Sequence, residues 1–136
     1  MNTPFILRSV YLVLGLGVFA GCSTIKLDES GDMRATYVGG EFRMVVNANS
    51  SATAQATSLA FQQLGLFKIQ NDLRTFEADM AARTELDEKV RVRIREINSR
   101  QSEVSIRVDV VGDKEYSQKL YQQIERNLNV GGGGAF

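Results

Sequence analysis

From Lys89 to Ile97 apolar and charged residues alternate, with Val90, Val92 and Ile94 on one parity and Arg91, Arg93 and Arg95 on the other. Glu103–Val110 repeats the pattern, setting Val104, Ile106, Val108 and Val110 against Ser105, Arg107 and Asp109. Successive side chains of a strand point to opposite faces. A period of two therefore describes strands that are dry on one side and wet on the other. The polar stretch Asn98–Ser102 between them has hairpin length. One-sided strands of this kind belong to an antiparallel sheet with one solvated face. Its dry face requires a second layer to cover it.

Further segments fit that sheet. Glu41–Asn47 carries Phe42, Met44 and Val46 against Arg43 and Asn47, and Gly39-Gly40 marks a bend before it. Thr75–Arg83 carries Phe76, Ala78, Met80 and Ala82 against Glu77, Asp79 and Arg83, while Leu66–Gln70 reads as a short strand. Two segments follow helical spacing instead. Asn49 and Ser50 can cap a helix along which Ala52, Ala56, Leu59, Ala60 and Leu64 form a stripe, with Gly65 placed to end it. Asp113 caps a second helix, striped by Tyr116, Leu120, Tyr121, Ile124 and Leu128. The order is β-α-β-β-β-β-α. It predicts an α+β fold: a two-layer sandwich, mainly antiparallel sheet, with both helices on one face. The single domain spans residues 37–129, and the Gly-rich tail over 130–136 is expected to be disordered.

The first 22 residues have a different character. Arg8 and the amino terminus precede an apolar run from Val10 to Ala20. That run is shorter than the roughly 20 apolar residues a bilayer span requires, and it matches a secretory signal. It ends in Phe19-Ala20-Gly21-Cys22, which resembles a lipobox, the site at which a lipoprotein signal is cut after its Cys has been acylated. Residues 1–21 are thus expected to be a lipoprotein signal peptide and Cys22 the lipid attachment site. Residues 22–36 are expected to be a lipidated tether, pairing loosely near Ile25–Leu27. Ser23 stands where an Asp commonly retains Gram-negative lipoproteins in the inner membrane, so the expected address is the periplasmic side of the outer membrane.

Composition narrows the chemistry. The 136-residue chain has no His and one Cys, and its 16 basic and 16 acidic side chains balance. Lacking His removes the commonest neutral-pH acid–base group and metal ligand. One Cys forms no internal disulfide and no paired metal motif. Zero net charge provides no whole-chain field to attract nucleic acid. No cofactor, metal site or nucleic-acid partner is expected.

The lipobox, Tyr37-Val38-Gly39-Gly40-Glu41-Phe42, Ala56–Gly65 (ATSLAFQQLG) and Ser105–Ser117 (SIRVDVVGDKEYS) together resemble a family of short proteobacterial lipoproteins known only as a domain of unknown function. The resemblance covers most of residues 18–129. It implies the lipoprotein class and a compact α+β domain, and it brings no catalytic residues.

Two constellations on the wet face remain. Arg91, Arg93, Arg95 and Arg107 lie on neighbouring strands and form a candidate anion-binding face for lipid phosphates or acidic glycan, because guanidinium grips phosphate bidentately. The competing reading is a solvated sheet face laced by salt bridges to Glu77, Asp79, Glu103 and Asp109. Glu77 and Asp79 also share a face, with backbones about 6.6 Å apart, a spacing compatible with paired-carboxylate glycoside hydrolysis. The leading expectation is a non-enzymatic binding or accessory module of the cell envelope, held to a membrane through its lipid. The alternatives are a structural lipoprotein acting through protein partners and a carboxylate-based glycan hydrolase.

Overall fold

In chain order the elements are β1 (Ser23–Lys26), β2 (Arg34–Val38), β3 (Glu41–Val46), α1 (Ser50–Gln63), β4 (Phe67–Leu73), β5 (Glu77–Arg83), β6 (Lys89–Asn98), β7 (Gln101–Val108) and α2 (Lys114–Gly132). They come from a computed structural model that describes residues 23–26 and 34–132. The signal segment, Cys22, residues 27–33 of the expected tether and positions 133–136 lie outside the described residues. Among those described, seven strands form one antiparallel sheet in the order β1-β2-β3-β7-β6-β5-β4. No described helix is long and apolar enough to cross a membrane.

The β6–β7 hairpin is the centre of the sheet. Val90 lies opposite Val108, Val92 opposite Ile106 and Ile94 opposite Val104. All six are buried, as are Phe42, Met44, Val46, Ala78, Met80 and Ala82 on the flanking strands. These are the residues whose parity marks the dry face. Helix α1 lies across β4 to β7 and α2 across β3 and β7, so both cover the same side. Leu120, Tyr121 and Ile124 of α2 reach the core, where the Tyr121 ring packs on Phe42 at a centroid distance of 5.4 Å. The fold is the two-layer α+β sandwich that the periodicities require.

Local chemistry sets the element ends. Asn49 caps α1, its Oδ1 accepting from the Ala52 amide at 2.9 Å. Gly65, at φ +68°, closes α1 in a Schellman motif: Leu66 N donates to Phe61 O at 2.8 Å and Gly65 N to Gln62 O at 3.1 Å. Asp113 Oδ1 accepts from the Tyr116 amide at 2.9 Å and caps α2.

Four details differ from expectation. Within the expected tether, residues 23–26 and 34–36 belong to the sheet, because β1 and β2 extend it, with Ala35 fully buried and Tyr37 half-buried. The inward residues of β2 are only two, Ala35 and Tyr37, too short an alternation to stand out. The buried face of α1 is rotated from the predicted stripe: Thr53, Thr57 and Phe61 point inward, whereas Ala52 is exposed and Leu59 is 45% exposed. Each threonine satisfies its hydroxyl on the carbonyl one turn back, Thr53 on Asn49 and Thr57 on Thr53, both at 2.8 Å, and so enters the core without an unmet polar group. Phe76 and Val110 fall outside the strands and are exposed rather than buried. Finally, α2 continues through Val130 and Gly131 to Gly132, into the stretch expected to start the tail.

Candidate functional site

The wet face is a grid of cross-strand rows. One row runs Ala81, Arg91, Arg107, Glu41 across β5, β6, β7 and β3, and the next runs Asp79, Arg93, Ser105, Arg43. A third places Glu77 opposite Arg95 and Arg95 opposite Glu103. Directly opposed side chains on one face are near neighbours, so these rows decide which charges meet.

The rows open into a shallow basin of about 410 Å³, lined by Lys89, Arg91, Arg93, Arg107, Glu41, Asp79, Gln70 and Ser105 over a floor that includes Ala81. Three of the four predicted arginines meet there. Arg95 does not line the basin; it pairs with Glu77 at 3.4 Å. Lys89 and Glu41 join the site without having been singled out. Lys89 shares strand parity with Arg91, which was a usable signal, but Glu41 arrives only because β3 pairs with β7.

The basin's charges are unevenly matched. Arg93 Nε donates to Asp79 Oδ1 at 3.0 Å, and this hydrogen bond, with the Asp79 charge, pushes the Arg93 pKa up from its ordinary value. Glu41 is engaged by Arg43, 2.6 Å from Nε to Oε1. Arg107 donates from Nη2 to the Val110 carbonyl at 2.9 Å, which orients the guanidinium without neutralising it. Among the described residues no carboxylate lies within ion-pair distance of Lys89, Arg91 or Arg107. Moreover, Arg91 and Arg107 are directly opposed. Like charges in that arrangement repel, a cost that Glu41 opposite Arg107 offsets in part and that an anion placed between the two arginines would lower further.

The two carboxylates weighed as a hydrolytic pair are each held by arginine. Asp79 lines the basin with Arg93, whereas Glu77 lies outside it between Arg95 and Arg74. They do not converge on one cavity. What the face can do chemically is hold an anion by two or three charge-assisted hydrogen bonds in an open depression.

Residues 6–127 match the model of a family described as a protein of unknown function (DUF3568). No curated protein matches the sequence.

Proposed function

Because the chain belongs to the DUF3568 family, whose function is unknown, its role has to be read from its own chemistry, and we propose that it is a lipid-anchored accessory protein of the bacterial envelope that binds an anionic group on the basic face of its sheet. The anchor is Cys22, the lone cysteine, at the foot of the apolar signal segment. The expected location is the outer membrane, facing the periplasm. The observation that carries the binding reading is the apposition of Arg91 and Arg107 beside Lys89, none of them within ion-pair distance of a carboxylate among the described residues. The ligand class is a phosphate or carboxylate borne by an envelope lipid, glycan or protein. The domain acts by binding rather than by catalysis, needs no cofactor and takes no nucleic acid.

Two variants test this. Cys22→Ser should abolish acyl labelling and release the protein from washed membranes; retention in the membrane counts against the anchor. Arg91→Ala combined with Arg107→Ala should weaken retention of envelope extract or inorganic phosphate while leaving the melting curve in place. Unchanged binding rejects the anion face.

A second reading, a structural lipoprotein acting through protein partners, draws on the far edge of the sheet. Strand β4 is exposed throughout and presents Phe67, Ile69 and Leu73, with Phe76 nearby. An uncovered apolar edge strand is a template for pairing with another chain. Loss of a protein partner on Phe67→Lys, with anion binding intact, would favour that reading.

A further inference from the structure

The sheet starts abruptly. Ser23 is already paired with Tyr37 in β1–β2, so Cys22 lies one peptide bond, about 3.8 Å between Cα atoms, from the first residue held in the sheet. A lipid on Cys22 therefore has no free linker between it and the fold. Whatever lies at this end of the sheet is brought to the membrane surface with the lipid.

The end in question is marked. Strand β2 runs toward it and turns at Gly39-Gly40, and β7 leaves the sheet there through Val110, Val111 and Gly112. The two turns are locked together, because a Cβ on Gly40 would collide with the Val111 carbonyl and one on Gly112 with the Gly40 backbone. They hold up three valines that the fold does not bury: Val38 is 55%, Val110 79% and Val111 83% exposed. Nearby charges lean acidic, with Glu88, Asp109, Asp113 and Glu115 beside Lys114. Such a pole suits an apolar contact with neutral headgroups and not an ionic one.

Resting on the anchoring reading above, we propose that the domain stands on this Val38–Val110–Val111 pole, with the valines set into the headgroup region of the bilayer that holds the Cys22 lipid. The far pole, at the β6–β7 turn around Arg100, faces away from the membrane. Small apolar tips of this kind add to the hold of acyl chains and fix an orientation that acyl chains alone leave free.

The chain contains no Trp, so one introduced indole reports its surroundings alone. Full-length protein carrying Val111→Trp, or Val110→Trp as a second reporter, is compared with Arg100→Trp after reconstitution into phosphatidylcholine vesicles with brominated acyl chains. All three sites are exposed, and matching melting curves identify variants with the fold intact. The proposal expects bluer emission and several-fold stronger quenching for the reporter at 111 or 110 than for the one at 100. Equal quenching at the two poles of an acylated protein overturns the orientation and leaves the anchor standing. Mass spectrometry of the Cys22 peptide decides the anchor separately: without an acyl mass, the anchoring reading falls and the orientation with it.

Discussion

Gly40 and Gly112 meet backbone to backbone, at φ +80° and +90°, so that neither position has room for a Cβ. The contact ties the β2–β3 turn to the loop between β7 and α2. It therefore fixes where β2, and β1 beyond it, joins the sheet.

Gly40→Ala and Gly112→Ala should each destabilise the fold by about 1–3 kcal/mol, through left-handed backbone strain and collision with backbone that has no rotamer to escape into. Gly39→Ala is the control: it shares the left-handed φ of +60° but has open space around it, so it should lose less. Urea melts of the three variants measure the difference, and equal losses would remove the collision from the explanation.

Ile106 and Arg107 test the two faces of β7. Ile106 is fully buried opposite Val92 and Phe42, and Ile106→Ala should lower stability by roughly 2–5 kcal/mol through the cavity it leaves. Arg107→Ala removes a half-exposed guanidinium facing Arg91 and should change stability by about 0–1 kcal/mol. Comparable losses in chemical denaturation would mean the register is wrong.

Among the described residues the buried Tyr121 hydroxyl has no hydrogen-bond partner, and its ring rests on Phe42. Tyr121→Phe keeps the ring and should leave stability unchanged or raise it by up to about 1 kcal/mol. Burial, reinforced by the charge of Glu125, pushes the Tyr121 phenol well above the ordinary tyrosine range. In the unfolded chain that phenol ionises near pH 10. The folded state holds a proton that the unfolded state releases, so the associated stability is whole below about pH 10 and falls as pH rises further. Burial also pushes Tyr116 up. Tyr121→Phe should therefore flatten the alkaline loss without abolishing it, as followed by thermal melts across the alkaline range.

Glu96 joins the sheet to the helix layer. Its Oε2 accepts from the Ser50 amide at 3.1 Å and the Ser50 hydroxyl at 2.8 Å, at the positive end of α1. Glu96→Ala should cost about 1–2 kcal/mol by undoing this second cap, and Glu96→Gln less, because an amide oxygen still accepts. Urea denaturation of both variants is the check. If Ser50→Ala in the Glu96→Ala background costs as much as it does alone, the two residues do not act as a pair.

The strands of the β6–β7 hairpin, the inward face of β3 and the α2 stripe were legible because each repeats its period over many residues, and burial rewards every repeat. The rotated face of α1 was not. Thr53 and Thr57 count as polar in a sequence, and only the helix itself supplies the carbonyls that satisfy them. The arginines of the wet face could be identified by parity, yet parity does not say which of them finds an acid. Strand pairing gave Asp79 to Arg93 and Glu77 to Arg95, and left Arg91 facing Arg107.

By itself, then, the amino-acid sequence determined the α+β class, the dry and wet faces of the central strands and the caps of both helices, because these depend on period and on groups a few residues apart. Tertiary structure decided what depends on residues far apart in the chain: the addition of β1 and β2 to the sheet, the arrival of Glu41 beside Arg107, the Gly40–Gly112 contact and the exposed valines at that same end. These are set by strand order and register, which fix distances between segments that no local pattern encodes.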